Sequence, residues 1–170
     1  MKIETKISAA VAVVVLLTGF VVGWYWGSRQ GRAEVARRAT EPDARAQRIL
    51  AIVVERNPQA TIRDFADFSA TLVAASDRAG VDYRLVLAMI EKESGFKPGA
   101  VGQAGEVGIM QILPATAAEV ARGLDMPFEP PTPSRRGHGY DALGTLGDPK
   151  ANVTLGVAYL KRQLDRYALL

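Results

Sequence analysis

The sequence predicts an essentially all-α domain that follows an N-terminal transmembrane helix. Apolar residues recur at helical spacing through most of residues 64–170, and no strong alternating run indicates a strand. An uncharged apolar run over residues 7–26 is long enough to cross the hydrocarbon core of a bilayer. We therefore divide the chain into an anchor over 1–28, a juxtamembrane stalk with a short helix over 29–63, and one domain over 64–170.

The apolar run over residues 7–26 is interpreted as an uncleaved anchor. It ends in Trp24-Tyr25-Trp26, which suits the boundary between membrane and water. A cleavable secretion signal, the alternative, usually has a shorter apolar core and a small-residue cleavage site. The charges on the C-terminal side of the run, taken alone, favour a cytoplasmic location for the C-terminal domain. These charges belong to Arg29, Arg32, Arg37 and Arg38.

Composition limits the classes of partner and cofactor. The chain has no cysteine, which excludes a disulfide framework and a thiolate metal site. A net charge of +3 gives mild attraction to anionic surfaces. Many arginines lie between residues 29 and 63 without aromatic residues among them, so we expect no nucleic acid partner. His138 is the only histidine and has no ligand-spaced neighbours, so we expect no metal and no cofactor.

Local signals bound the predicted helices. Asp82 and Asp148 are suited to cap helix N-termini, and Pro114 is suited to a first helical turn. Gly80 and Gly95 are placed to end helices. The predicted helices cover residues 44–56, 63 to about 78, 83–94, 114–122 and 149 to about 167. The Pro- and Gly-rich residues 124–147 are predicted to form a long ordered loop.

Glu93 is the carboxylate with the most informative position. Val86, Met89, Ile90 and Glu93 share one face of the predicted helix 83–94. Burial on this stripe and the negative end of the helix both disfavour an ionised carboxylate, so we expect Glu93 to keep its proton. A protonated carboxylic acid can act as general acid toward a glycosidic oxygen. The alternative is a glutamate that extends into solvent at a frayed helix end.

A longer motif begins at Glu93. Residues 93–116 read ESGFKPGAVGQAGEVGIMQILPAT, and further matching blocks lie on either side. These blocks are Val81-Asp82-Tyr83, Leu87-Ala88-Met89-Ile90, Asp148-Pro149, Asn152, Gly156 and Tyr159-Leu160. In this order, over roughly residues 80–163, they resemble the soluble lytic transglycosylase domain of the lysozyme-like superfamily.

The resemblance implies a lysozyme-like helical domain that cleaves the β-1,4 bond between N-acetylmuramic acid and N-acetylglucosamine. Glu93 would act as general acid and then as base, and the product would carry a 1,6-anhydro ring. The resemblance also implies substrate-binding roles for Ser94, Met110, Gln111, Leu113, Asn152 and Tyr159. For Asn152 and Tyr159, packing is an equal alternative.

The sequence departs from the family pattern at several points. Gly102 stands where the family usually has a serine, and Glu106 stands where a small residue is usual. Glu106 is thus a candidate second carboxylate that would open a hydrolytic, lysozyme-like route, or else a solvated loop charge. The family also continues beyond the block at Tyr159 to an Ala-Tyr-Asn-Ala-Gly block that this sequence lacks. We therefore expect a C-terminally short domain, in which residues 124–147 replace one groove wall or that wall is absent.

The sequence thus predicts a membrane-anchored peptidoglycan lytic transglycosylase at the inner membrane, with its catalytic domain in the periplasm, or in a phage virion membrane. Its partners would be peptidoglycan glycan strands, the lipid bilayer through residues 7–26, and a membrane-complex or virion partner. It would open the cell wall locally for a secretion or conjugation machine or for a phage. A hydrolytic muramidase and a non-catalytic peptidoglycan-binding assembly subunit are the alternatives.

Overall fold

The computed structural model describes residues 43–60, 62–135 and 137–168. The predicted anchor and residues 29–42 of the predicted stalk lie outside these residues. Among the helices that are described, none is both long and apolar enough to cross a membrane. The membrane anchor therefore stays a prediction from the sequence.

The described chain is mostly helical, as the sequence predicts. Its helices are α1 (Ala44–Arg56), α2 (Ile62–Ala79), α3 (Tyr83–Ser94), α4 (Pro114–Gly123) and α5 (Pro149–Ala168), with a 3₁₀ turn over Gly144–Gly147. A short antiparallel hairpin of β1 (Thr132–Pro133) and β2 (Tyr140–Ala142) lies within the segment predicted as a loop. This hairpin is the departure from the all-α prediction within the described residues.

The ends of α3 are set by local hydrogen bonds. Asp82 caps the N-terminus, because its carboxylate accepts a hydrogen bond of 2.9 Å from the backbone N–H of Arg84. Gly95 ends the helix in the left-handed region, at φ 57°, and its N–H donates to the carbonyl of Glu91. A glycine reaches this conformation without the steric cost that a side chain brings.

Helix α2 lies at the centre of the packing and contacts α1, α3 and α5, while α5 also contacts α4 and the 3₁₀ turn. Phe65 and Phe68 of α2 pack edge to face with ring centroids 5.4 Å apart. The largest fully buried side chains come from every helix except α4 and from the connecting segments. They are Phe68, Phe96, Ile49, Leu72, Ile90, Ile109, Leu146, Leu155, Val53, Val86, Val107 and Val153.

Helix α1 is part of the same core. Ile49 and Val53 are fully buried, and the side chain of Arg45 bonds Asp77 of α2 at 2.8 Å. Because that ion pair is exposed, the buried apolar residues contribute most of the stabilisation. The compact unit begins at Asp43, earlier than the domain boundary at residue 64 that we expect from the sequence.

Replacing Asp82 should change how stability depends on pH. Hydrogen bonds from the side chain and backbone of Arg84 lower the pKa of Asp82 to about 2, from an ordinary value of 3.8. Since the pKa of Asp82 is lower in the folded protein than in the unfolded chain, the ionised carboxylate stabilises the fold. This stabilisation is present above about pH 4 and is lost as the pH falls through about 2. Asp82→Asn keeps a capping oxygen but does not titrate. Its melting temperature, followed by circular dichroism, should fall less than that of the wild type between these pH values.

The matched control for this measurement is Asp125→Asn, which removes an exposed carboxylate that caps no helix. This variant should track the wild-type pH curve. Parallel curves for Asp82→Asn and the wild type would contradict the assignment of the acid-sensitive step to Asp82.

Candidate active site

A groove of about 410 Å³ lies between α3, α4, α5 and the loop that joins α3 to α4. Its walls are mostly apolar, and the described side chains that line it include two charged ones, both glutamates. The lining residues are Met89, Glu93, Glu106, Met110, Gln111, Ile112, Leu113, Thr116, Gly156, Tyr159, Leu160 and Gln163. The volume and the mixture of apolar walls with a few polar groups are typical of a small-molecule or sugar site.

Glu93 lies on the groove wall, near the end of α3. Val86 and Ile90 of the same helix are fully buried, whereas the side chain of Glu93 is exposed. The expectation that Glu93 is desolvated by the core is therefore wrong. Glu93 lies one helical turn beyond Met89 and Ile90, where the apolar stripe of the helix ends, and its side chain lines the groove. No described residue forms an ion pair or hydrogen bond with this carboxylate.

Ser94 fixes the end of α3 to the loop that forms the groove floor. Its hydroxyl lies 2.8 Å from the carbonyl oxygen of Ile109 and 3.2 Å from that of Ile90. The single hydroxyl proton is thereby shared between two backbone acceptors. Ser94 does not line the groove, so its contribution to the site is to hold Glu93 at a defined distance from the loop.

The loop from Ala100 to Ile112 folds back on itself. Val107 and Ile112 exchange backbone hydrogen bonds of 3.0 and 3.2 Å, and the N–H of Gly108 bonds the carbonyl of Ala100 at 2.8 Å. Gln111 lies at φ 48°, a conformation that costs energy for a residue with a side chain. Tight pairing on both sides of Gln111 holds this conformation and directs its side chain toward the groove.

Asn152 of α5 is fully buried and ties the helix to this loop. Its Oδ1 accepts a hydrogen bond of 2.9 Å from the N–H of Met110, and its Nδ2 donates to the carbonyls of Val107 and Leu146, both at 3.0 Å. All three bonds go to backbone groups of the surrounding segments. The expected contact of Asn152 with substrate does not fit this burial, whereas the packing alternative does.

Two glycines let the loop and α5 approach closely. A Cβ atom on Gly108 would overlap Asn152 Nδ2 and lie 2.6 Å from the carbonyl oxygen of Leu146. A Cβ atom on Gly156 would overlap the sulfur of Met110. Met110 thus occupies space that a side chain on α5 would fill, and forms an almost fully buried floor under the groove.

Most of the predicted site residues meet at this groove. Glu93, Glu106, Met110, Gln111, Leu113 and Tyr159 line it. Sequence reasoning missed five further lining side chains, which are Met89, Ile112, Thr116, Leu160 and Gln163. Helical spacing could have identified Gln163 as a lining residue, because Gln163 lies seven residues after Gly156 on α5 and therefore on the same face of the helix.

A second cavity, of about 380 Å³, lies between α2, α4 and α5. Its lining is largely apolar, with the cationic side chains of Arg78, Lys161 and Arg162 at the edge. The described residues that line it include no carboxylate, so it offers no acid for proton transfer.

His138 lies in the exposed turn between β1 and β2, and the described residues contain no group of three or more His, Cys, Asp or Glu arranged to hold a metal.

Comparison with known proteins assigns the family. The Transglycosylase SLT domain family matches residues 71–169, which covers α3, the loop, α4 and α5. The chain belongs to this family.

Two individual relatives are named as lytic murein transglycosylases. The chain is 30% identical over 105 residues to the endo-type membrane-bound lytic murein transglycosylase A of Klebsiella pneumoniae, covering 61% of this chain and 46% of the relative. It is 38% identical over 89 residues to the membrane-bound lytic murein transglycosylase C of Edwardsiella ictaluri, covering 51% of this chain and 21% of the relative. The chain therefore spans less than half of the length of either relative.

Among solved structures, the lytic transglycosylase Slt of Pseudomonas aeruginosa is similar at 28% identity and a TM-score of 0.48. The similarity covers 58% of this chain and 14% of that one. The soluble lytic transglycosylase SLT70 of Escherichia coli has 23% identity and the same TM-score, over 68% of this chain and 16% of that one.

Replacing Asn152 by alanine should destabilise the protein. The change leaves the N–H of Met110 and the carbonyls of Val107 and Leu146 without the amide that bonds them, so the free energy of unfolding should fall by about 3 kcal/mol. Chemical denaturation followed by circular dichroism measures this loss. Thr154→Ala is the control, because the hydroxyl of Thr154 bonds the Lys150 carbonyl on the surface of α5. If the two variants lose equal stability, Asn152 does not hold the loop.

Proposed function

We propose that this protein is a peptidoglycan lytic transglycosylase that cleaves the β-1,4 bond between N-acetylmuramic acid and N-acetylglucosamine, with Glu93 as its general acid and base. One observation carries the proposal. Glu93 is a carboxylate without a protein partner among the described residues, and it lies in the wall of a mostly apolar groove. Membership of the SLT family and the names of the relatives support the same activity.

The first step is protonation of the glycosidic oxygen by Glu93. In the free protein the carboxyl group is exposed in the groove, so the glycosidic oxygen of a glycan bound there can reach it. Met89, Met110 and Leu160 line the same groove and give apolar surface to the bound sugar. As the bond from C1 to the protonated oxygen breaks, the acetamido group of the N-acetylmuramic acid stabilises the positive charge at C1.

The second step forms the anhydro ring. Glu93, now ionised, takes the proton from the C6 hydroxyl of the same N-acetylmuramic acid, and the C6 oxygen bonds to C1. The acid is thereby regenerated, and water is not consumed. One carboxylate is sufficient for both steps, because it gives and takes a proton on the same face of the sugar.

Exposed apolar side chains support the binding of a sugar chain. Leu113 and Tyr159 are 43% and 37% exposed, and both line the groove. Apolar groups held in solvent at a groove edge mark interaction surfaces, and the apolar faces of pyranose rings can cover them. Leu113 precedes α4 and Tyr159 lies on α5, so a glycan lying between these helices would contact both.

A hydrolytic muramidase is the second candidate. The observation that favours it is Glu106, a second carboxylate in the lining of the same groove. In that reaction a water molecule, in place of the C6 hydroxyl, would attack C1, with one carboxylate as acid and the other as base or nucleophile. The two reactions leave different sugar ends, an anhydro ring or a reducing end.

Replacing Glu93 by glutamine should abolish cleavage. Loss of the general acid lowers rates by at least about 100-fold, while the exposed side chain leaves the fold intact. The measurement is digestion of purified sacculi by the full chain, with the soluble muropeptides identified by mass spectrometry. Glu91→Gln is the matched control, because Glu91 lies on the same helix but points toward Arg56, 3.5 Å away. This control should cleave at the wild-type rate.

The products decide between the candidates. Anhydro-muropeptides from the wild type would support the transglycosylase, and reducing ends would support the muramidase. Sacculi that bind the protein but release nothing would indicate the non-catalytic assembly subunit. A Glu93→Gln variant that cleaves as fast as the wild type would overturn the assignment of the acid.

We further propose that residues 7–26 anchor the protein in the inner membrane with its SLT domain on the periplasmic side, where peptidoglycan lies. The uncharged run in the sequence supports this, as do the names of both relatives, which are called membrane-bound. Such an anchored enzyme would open the cell wall locally for a secretion or conjugation machine, or for a phage.

A charge in the middle of the anchor should release the protein from membranes. Leu16→Arg adds a cost of about 3 kcal/mol to insertion of the segment. The expected result is a shift of the protein from the membrane to the soluble fraction after carbonate extraction.

The orientation of the domain needs a separate test. A C-terminal alkaline phosphatase fusion, active only outside the cytoplasm, should be active on the wild-type protein. An inactive fusion would place the domain on the cytoplasmic side, as the flanking arginines alone favour.

A further inference from the structure

The space above Gly102 is filled by groups from two other residues. Gly102 lies in the loop at the edge of the groove and carries no side chain. A Cβ atom placed there would lie well inside van der Waals contact of Glu106 Oε2 and 2.8 Å from Gln111 Oε1. The carboxylate of Glu106 and the amide of Gln111 therefore converge on the volume that a side chain at position 102 would occupy.

The loop holds the carboxylate of Glu106 in this place. The N–H of Gly102 bonds the backbone carbonyl of Glu106 at 2.8 Å, which closes the loop between these residues. The N–H of Ala104 donates to Glu106 Oε2 at 3.1 Å. Glu106 is half-buried as a result. Its side chain is thus fixed at the groove and does not extend into solvent like an ordinary loop charge.

Hydrogen bonding also fixes which end of the Gln111 amide faces Gly102. Its Nε2 donates to the carbonyls of Ala100 at 3.1 Å and Gly108 at 2.8 Å. Since carbonyls accept only, the nitrogen must face them, and the oxygen Oε1 faces the other way, toward Gly102. Beside Gly102 the side chain of Gln111 can therefore only accept a hydrogen bond, through Oε1.

Two acceptors beside each other call for a donor from elsewhere. A carboxylate accepts only, and so does the amide oxygen, so neither can bond the other. Glu93 and Glu106 are the charged groups among the described lining residues, so the described part of the groove supplies no cation to this place. A hydroxyl or amide N–H of a glycan placed here would share its proton between the two oxygens, and a hydrogen bond to a carboxylate is among the stronger kinds.

We propose that Glu106 is a substrate-binding residue that, together with Gln111 Oε1, recognises a hydrogen-bond donor of the amino-sugar chain above Gly102. The proposal rests on the proposed function, since it takes a glycan as the occupant of the groove. It assigns Glu106 to binding and leaves proton transfer with Glu93.

Binding to sacculi tests this assignment, with the full chain carrying Glu93→Gln so that no substrate is consumed. Loss of one charged hydrogen bond should weaken co-sedimentation about tenfold in Glu106→Ala. Glu91→Ala is the matched control, because it makes the same change in net charge on the exposed face of α3 and should bind normally. Without this control, removal of a negative charge would itself alter attraction to the anionic wall.

Gly102→Ala provides a second, independent test. Its Cβ atom displaces the oxygens of Glu106 and Gln111, and both belong to the ends of side chains, so the backbone of the loop keeps its place. We expect about the same tenfold loss of binding, and no further loss in the double variant Gly102→Ala/Glu106→Ala, since both changes remove one contact. The cleavage rate of the corresponding variants with Glu93 intact should fall in parallel, with unchanged products.

The outcomes separate this inference from the proposed function. If the Glu93→Gln chain itself fails to bind sacculi and the wild type fails to cleave them, both are overturned. If cleavage and binding are normal but Glu106→Ala matches Glu91→Ala, this inference alone is wrong. Losses that add in the double variant would also overturn it, because Gly102 and Glu106 would then act separately.

Discussion

The side chain of Asn152 joins α5 to the loop after α3 through three hydrogen bonds to backbone groups. Both walls of the groove depend on this connection, because Glu93 approaches from α3 and Tyr159 from α5. A polar group is needed here, since the loop turns inside the protein and its backbone donors and acceptors need partners. The same packing requires glycine at position 108, as any larger residue would displace the amide.

The helices were predictable because their signals are local. Capping by Asp82, termination at Gly95 and the proline at the start of α4 each involve residues within a few positions of one another. The hairpin over residues 132–142 was not predictable in the same way. Its strands are two and three residues long, too short for alternation of apolar residues to be visible.

The sequence predicted half of the residues that line the groove, but not the surroundings of each side chain. The helical spacing of the sequence puts Glu93 next to the apolar stripe of α3. Spacing alone does not show whether a residue at the edge of such a stripe faces the core or a groove. For Asn152 the sequence shows a polar residue in the mostly apolar first half of α5. Its three partners come from the loop over residues 107–110 and from Leu146, so only the tertiary structure reveals that the amide is used internally.

The crowding above Gly102 also limits how this groove can change during evolution. A side chain at position 102 and the present placement of Glu106 exclude each other sterically. A lineage that exchanges one arrangement for the other by single substitutions therefore passes most easily through a sequence with glycine at 102 and a small residue at 106. That intermediate has neither group in the groove, so the limited space above Gly102 constrains the order of the mutational steps and not only their end point.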